Sequence, residues 1–180
     1  KIGKALEFNG STNYVEINDS DSLDGFDEIT IEAWVKPILG QRGAVVSRYL
    51  YDYNIPINER VYELTVEQGG TIEFALSSDG SSATWLESSN TLQDNEWNHI
   101  AAVSDGNTMR IYINGEQDPN TEAAPASLHS SSYNLQIGTW EYSPNQRDTY
   151  FNGVIDEVKI YNRALSAEEI KADYEAGIPP

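Results

Sequence analysis

The chain has 180 residues, of which 29 are Asp or Glu and 11 are Lys or Arg, so its formal net charge is −18. This length can build a sandwich or barrel core without cross-links, and we expect a single domain over residues 1–180. Because cysteine is absent, disulfides and thiolate metal sites are excluded, and the lack of a basic stripe argues against nucleic acid and anionic polymers as ligands.

The apolar segments of the chain are short, and none approaches the length that spans a bilayer, so no membrane insertion is expected. No signal peptide precedes Lys1, which is what a processed or excised domain would show. The acidic surface is compatible with calcium, with neutral ligands or with a high-salt habitat. A solvated surface that keeps the domain soluble explains the charge equally well.

Short segments in which apolar and polar residues alternate follow one another along the chain. Turn sequences such as "LDGFD", "EQGG", "SDGNT" and "INGEQ" separate them. Alternation with period two is typical of strands that bury one face, and polar turns at this spacing favour an all-β antiparallel sandwich over a βαβ fold. The residues assigned to buried faces are Ile29, Ile31, Ala33, Val35, Ile72, Phe74, Leu76, Met109, Ile111, Ile113, Leu135 and Ile137.

One helix is predicted, at the C-terminal end of the chain. Ser166 and Glu169 form the capping-box pattern that begins a helix, and Gly177 supplies its stop. Ile170 and Tyr174 lie four residues apart on one helix face, so we expect both to anchor the helix on a sheet.

Two segments near the ends of the chain resemble each other. "EFNGSTNYVEI" spans residues 7–17 and "YFNGVIDEVKI" spans residues 150–160, and each has Phe-Asn-Gly before an alternating strand. The similarity of the two segments predicts that the terminal strands meet in space.

Asp156 and Glu157 are adjacent acids inside the second of these strands. If the strand is regular, Asp156 faces the core among apolar neighbours and Glu157 faces outward. A buried carboxylate needs a partner, and a hard cation such as Ca²⁺ would serve, with Asn9 and the carbonyls of its turn, including Gly10, as further ligands. The alternative is that Asp156 caps a turn or accepts hydrogen bonds from backbone amides at a bulge.

Five segments together resemble the LamG-like jelly-roll family of the concanavalin A-like lectin/glucanase superfamily. They are "ALEFNGSTNYVEI", "ITIEAWVKP", "EWNHIAAVSDGNTMRIYINGE", "LQIGTW" and "FNGVIDEVKIYNRALSAEEI". The resemblance implies a two-sheet antiparallel jelly-roll β-sandwich with a short C-terminal helix. It also implies a structural Ca²⁺ where the terminal strands meet, with Asp156 as its firmest ligand. The family often has Asp where this chain has Asn9, and Asn13 is a possible further ligand.

A second acidic segment, "NDSDSLDGFDE", does not match the spacing of an EF-hand loop, and we interpret it as a solvated loop.

Catalysis is not expected, although the superfamily includes glycoside hydrolases. The Glu-x-Asp-x-x-Glu string of the related glucanases does not occur. Asp156 and Glu157 face opposite ways in a regular strand. Glu63, Glu67 and Glu73 show no tight same-face pairing in the sequence, and a retaining glycosidase needs such a pair.

Sugar-binding modules stack exposed aromatic rings on sugar faces, and two segments offer such rings. In "SRYLYDYNIPINER", an extended chain places Tyr49, Tyr51 and Tyr53 on one face, about 6.6 Å apart, beside Arg48. The alternative for these tyrosines is a ladder that covers a sheet edge.

The second segment, "GTWEYSPNQRD", is a turn-rich insertion that contains Trp140, Tyr142 and Arg147. Trp85, in "SSATWLESSN", is a third candidate. The alternative for Trp140 is that it closes one end of the core.

The sequence therefore predicts a non-catalytic, lectin-like carbohydrate-binding module with a structural Ca²⁺. We expect it to be secreted or at the cell surface, within a larger multidomain protein, and to bind a neutral oligo- or polysaccharide. The first alternative is an adhesion or spacer domain that contacts proteins, and the second is a diverged glycoside hydrolase.

Overall fold

The computed structural model of the protein describes residues 4–52, 57–143 and 146–177. These residues form short strands and one α-helix. The elements are β1 (Leu6–Asn9), β2 (Val15–Ile17), β3 (Ile29–Pro37), β4 (Gly43–Arg48), β5 (Tyr51–Asp52), β6 (Ile57–Asn58), β7 (Tyr62–Val66), β8 (Ile72–Leu76), β9 (Thr84–Glu87), β10 (Asn98–Ser104), β11 (Thr108–Ile113), β12 (Glu116–Ala123), β13 (Leu135–Ile137), β14 (Trp140–Ser143), β15 (Gln146–Asp148), β16 (Asn152–Tyr161) and α1 (Ala167–Gly177).

Two antiparallel sheets of six strands each make up the sandwich. The first sheet has the order β1-β16-β3-β10-β11-β12 and the second has the order β2-β13-β4-β7-β8-β9. Two short ribbons, β5–β6 and β14–β15, are additional to these sheets. The predicted all-β, two-sheet antiparallel architecture is confirmed.

The alternate residues that the sequence pattern assigned to buried faces lie in or against the hydrophobic core. Every second residue of a strand points to the same side of its sheet. The inward-facing side chains of the two sheets therefore fill the space between the sheets. Ile29, Ile31, Ala33 and Val35 contribute from β3, and Ile72, Phe74 and Leu76 contribute from β8. Met109, Ile111 and Leu135 are buried in the same cluster, with Ile113 and Ile137 packed against it.

The C-terminal helix begins with the predicted capping box. The backbone N–H of Glu169 donates to Ser166 Oγ at 3.2 Å, and the backbone N–H of Ser166 donates to Glu169 Oε2 at 2.8 Å. Ile170 is fully buried, and the ring of Tyr174 stacks on that of Trp34 at 5.7 Å between centroids. Helix α1 therefore covers the outer face of the first sheet. Within the described ranges, no helix is long and apolar enough to cross a bilayer.

The two Phe-Asn-Gly segments pair with each other, as their sequence similarity predicts. In the antiparallel ladder between β1 and β16, Phe8 lies opposite Gly153 and Asn9 lies opposite Asn152. The terminal strands therefore meet at the edge of the first sheet.

The prediction that Asp156 faces the core is wrong, because β16 is not regular. The register against β3 shifts between Asp156 and Lys159, and Glu157 has a positive φ of 49°. This β-bulge adds one residue and changes which side chains face inward. Before the bulge Ile155 belongs to the core, and after it Val158 packs against the core.

The carboxylate of Asp156 lies on the opposite side of the sheet from the core. Its cross-strand partner is Trp34, which packs under α1, and Asp156 Oδ1 accepts a hydrogen bond from the backbone N–H of Glu157 at 3.0 Å. A hydrogen bond to a backbone amide at a bulge is the alternative that the sequence left open.

Candidate ligand-binding site

The outer face of the second sheet carries one continuous cross-strand row of six residues. Their cross-strand pairing places all six on one side of the sheet, opposite core residues such as Leu64, Phe74 and Leu135. In order across the sheet, the row is Glu16, Gln136, Ser47, Glu63, Ala75 and Trp85. The row gives this face a polar middle, with an exposed tryptophan at one edge.

Four aromatic residues make up what we call the aromatic strip: Trp85, Tyr49 and Trp140, whose rings contact one another in series, and Tyr142, two residues beyond Trp140 in β14. The ring of Tyr49 lies 5.9 Å from that of Trp85 and 5.7 Å from that of Trp140. Trp85 and Tyr142 are 41% and 40% exposed, whereas Tyr49 is only 2% exposed and Trp140 is half-buried. Tyr49 is therefore the floor of the strip, and burial raises the pKa of its hydroxyl.

The structure thus brings together candidates from three separate segments of the sequence. Arg60 lies over the ring of Tyr49 at 5.3 Å, and Arg42 lies over the ring of Trp140 at 5.9 Å. These distances allow cation–π attraction, which fixes the inner rings of the strip.

Arg42 also joins three glutamates beneath the strip. Its guanidinium lies 2.7 Å from Glu67, 2.5 Å from Glu73 and 3.5 Å from Glu63. Burial raises the pKa of the Glu63 carboxyl from 4.5 to about 7, and burial also raises that of Glu73. The expectation that these acids are not paired on one face is wrong for Glu63 and Glu73, which lie on neighbouring strands and contact the same guanidinium group.

The β14–β15 ribbon places Tyr142 and Arg147 at one end of the strip. Arg147 lies 2.6 Å from Glu16 and 3.2 Å from Glu141, and its guanidinium covers the ring of Tyr14 at 4.4 Å. Glu16 belongs to the cross-strand row, so these contacts tie the ribbon to the sheet.

Arg147 lines two adjoining clefts. The larger, of about 540 Å³, also contains Arg42, Tyr142, Asp148 and Tyr150. It combines aromatic rings with hydrogen-bonding groups, which is the composition expected of a site for a small polar ligand.

The smaller cleft, of about 320 Å³, is lined by Glu16, Tyr133, Asn134 and Glu141 besides Arg147. Together the clefts extend the aromatic strip towards the edge of the second sheet.

Arg48 lies elsewhere, although the sequence placed it with the ligand-binding tyrosines. Its side chain is 0% exposed and donates to the carboxylates of Asp19 and Asp24 and to the backbone carbonyls of Leu23 and Tyr133. These groups use its N–H donors, so Arg48 holds a loop in place and is not available at the surface.

Tyr51 contributes its backbone to β5. The side chain of Tyr51 and the whole of Tyr53 lie outside the described residues.

The residues predicted to hold calcium do not fit one ion. Asn9 Oδ1 already accepts the backbone N–H groups of Ser11, Thr12 and Asn13, at 3.1, 2.9 and 3.2 Å. The carbonyl of Gly10 accepts a hydrogen bond from Gln41 at 3.0 Å.

The spacing along β16 gives the stronger objection. Asn9 lies opposite Asn152, four residues from Asp156, which corresponds to about 13 Å along a strand. Two oxygens bound to one Ca²⁺ lie within about 5 Å of each other. Among the described residues, no group of three or more His, Asp or Glu side chains is arranged to hold a metal ion.

Comparison with known proteins gives the same architecture. A family model described as the concanavalin A-like lectin/glucanases superfamily matches residues 9–171. Pappalysin-1 of Mus musculus is 24% identical over 185 residues, which cover 96% of this chain but only 11% of pappalysin-1. The chain thus spans about a ninth of the length of this curated relative.

Two solved structures share the fold. The CBM40 of Ruminococcus gnavus IT-sialidase, bound to α2,3-sialyllactose, superposes with a TM-score of 0.72 at 17% identity, over 94% of this chain and 97% of the other. The native heptameric SAP-like pentraxin of Limulus polyphemus gives 0.69 at 16% identity, over 97% and 83%. These likenesses confirm the jelly-roll sandwich, and the match over most of the sequence shows that the chain belongs to the Laminin_G_3 family of the concanavalin A-like lectin/glucanase superfamily.

Proposed function

We propose that this domain is a non-catalytic carbohydrate-binding module that holds a neutral oligo- or polysaccharide along the aromatic strip and the adjoining clefts. The observation that carries the proposal is the strip itself: the exposed ring of Trp85 contacts Tyr49, Tyr49 contacts Trp140, and the exposed Tyr142 lies two residues beyond Trp140 in β14. Rings of this kind bury the apolar faces of sugars, while the polar groups around them accept and donate hydrogen bonds. The fold is shared with a carbohydrate-binding module, which supports the assignment.

The charges around the strip favour a neutral ligand. Arg42 and Arg147, the cations of the larger cleft, are each paired with at least two glutamates. A carboxylated or sulfated sugar would have to compete with these protein carboxylates for the guanidinium groups. It would also approach a domain whose formal net charge is −18.

Glycan-array screening followed by calorimetric titration of the best neutral ligand tests the proposal. We expect Tyr142→Ala and Trp85→Ala each to weaken binding about tenfold, since removing a stacked ring loses roughly 1.4 kcal/mol. Thr121→Ala, on β12 of the other sheet, is the control and should bind like the native chain. A folded native chain that binds no glycan would refute the proposal and would favour the adhesion or spacer role.

Glycoside hydrolysis is a second candidate, because of the pair formed by Glu63 and Glu73. Arg42 Nη2 lies 3.5 Å from an oxygen of the first and 2.5 Å from an oxygen of the second, so these oxygens are at most 6.0 Å apart. Retaining glycosidases separate their carboxyl groups by about 5–5.5 Å. However, Arg42 occupies the space between the two acids, and the carboxyl oxygens of Glu63 are buried.

A reducing-sugar assay on the glycans that bind decides between the two candidates. We expect no turnover. Turnover by the native chain that disappears in Glu63→Gln would overturn the non-catalytic assignment.

We further propose that the domain works outside the cell as one part of a longer polypeptide, since its curated relative is much longer than the aligned segment. Calcium has no part in the proposed binding mode, because the residues predicted to hold it do not meet at one point.

A further inference from the structure

Thr149 has an unusual backbone conformation at the wall of the larger cleft. Its φ is 52°, in the left-handed region, and it follows β15 directly. A β-branched residue is rarely found there, because its side chain crowds the backbone and strains it. Gly or Asn would adopt this conformation more easily.

The Thr149 hydroxyl connects two other residues of the site. The indole N–H of Trp140 donates to Thr149 Oγ1, and Thr149 Oγ1 in turn donates to Asp148 Oδ1 at 2.9 Å. The same hydroxyl therefore accepts from one partner and donates to the other. Gly has no side chain to make this pair of hydrogen bonds, and Asn would have to accept and donate through two different atoms of its amide rather than through one hydroxyl.

The backbone of Thr149 is also held in place. Its carbonyl accepts the N–H of Ala44 in β4 at 2.9 Å, which ties the residue to the second sheet. The hydroxyl is consequently at a fixed position relative to Tyr49, whose ring contacts the Trp140 ring.

We propose that Thr149 is a positioning residue for the glycan: its hydroxyl sets the orientation of the half-buried Trp140 ring in the aromatic strip. The two hydrogen bonds of the hydroxyl give a reason for Thr, rather than Gly, at this strained backbone position. This inference rests on the proposed function, since the ring is taken to stack on the sugar.

Three substitutions at this position separate the hydroxyl from the strain. Thr149→Ser keeps the hydroxyl, Thr149→Val keeps the branched side chain without it, and Thr149→Gly removes both. We expect Ser to bind the array-selected neutral glycan within about twofold of the native affinity. Val and Gly should each bind about three- to tenfold more weakly, the effect of losing one or two hydrogen bonds.

Stability should follow a different order from affinity. Gly relieves the strain and Val does not, so the Gly variant should melt at a higher temperature than the Val variant although both bind weakly. Glu157→Gly is the matched control, because Glu157 has a φ of 49° in the other sheet. It should raise Tm and leave glycan affinity unchanged.

Each outcome decides a separate point. If the native chain binds glycan and the Val variant binds equally well, the role of Thr149 is wrong and the proposed function stands. The same conclusion follows if affinity tracks Tm across the three variants, since Thr149 then acts only on stability. If the native chain binds no glycan, both proposals fail together.

Discussion

Replacing Arg48 by Met tests whether this residue is a structural support rather than a ligand contact. The side chain is wholly buried and donates to two carboxylates, at 2.5 Å to Asp19 and 2.8 Å to Asp24. It also donates to the backbone carbonyls of Leu23, Tyr133 and Ser131. Met fills a similar volume but offers none of these hydrogen bonds.

The loss of stability in Arg48→Met depends on the carboxylates of Asp19 and Asp24, which the substitution leaves without their cation. Removing one partner of a buried ion pair costs about 3–5 kcal/mol, because the remaining charge is uncompensated. The side chains of Asp19 and Asp24 are 37% and 21% exposed, so water can partly replace the guanidinium. We therefore expect the lower end, about 3 kcal/mol, and a fall in Tm of about 6–12 °C for a domain of this size.

Urea unfolding followed by tryptophan fluorescence measures the loss, with Arg163→Met as the matched control. Arg163 also makes two hydrogen bonds to a carboxylate, at 2.8 and 3.0 Å to Glu169, but its side chain is 51% exposed. Water screens such a surface pair, so it contributes little to stability. Similar losses in the two variants would refute the reasoning, and so would weaker glycan binding by folded Arg48→Met.

Three further predictions concern pH, calcium and strain. Burial raises the pKa of Glu63 in the folded protein to about 7, above its ordinary value of 4.5. The folded state therefore binds the Glu63 proton more tightly than the unfolded state does. The stability that this gives is fully present below pH 4.5 and is lost as the pH rises through 7. Glu63→Gln should therefore match the native free energy of unfolding at pH 4 and exceed it by up to about 3 kcal/mol at pH 8, as urea unfolding at both values will show. If Ca²⁺ raises Tm, Asn9→Ala and Asp156→Ala should not both remove that rise, because about 13 Å of strand, at about 3.3 Å per residue, separates the two positions. Loss of the Ca²⁺ effect in both variants would contradict this separation. Glu157→Gly should raise the free energy of unfolding by about 1 kcal/mol, and a loss of stability would show that its positive φ stores no strain.

The architecture was largely predictable because its signals are local. Alternation along "ITIEAWV" and "TIEFAL" identified the core-facing residues, and the Ser166–Glu169 pattern located the start of the helix. These signals depend on neighbouring residues in the chain, whose geometry within a regular strand or helix is fixed.

The binding site was only partly predictable. Trp85, Tyr142 and Arg147 were identified by type, but Arg42 and Thr149 were not, because their importance depends on residues from other strands. Alternation does place Glu63 and Glu73 on the polar faces of β7 and β8. That these strands are neighbours, and that Arg42 reaches both acids, is not encoded in either segment alone.

By itself, then, the sequence determined the fold class, the core faces of β3, β8, β11 and β13, the capped helix and the meeting of the terminal strands. Tertiary structure alone decided which side of the sheet Asp156 faces, because one inserted residue at the bulge reverses the alternation beyond it. It also decided that Arg48 is buried, whereas Tyr49, the next residue, joins Trp85 and Trp140 in the aromatic strip. Contacts between residues far apart in the chain depend on strand order and register, and no local pattern carries that information.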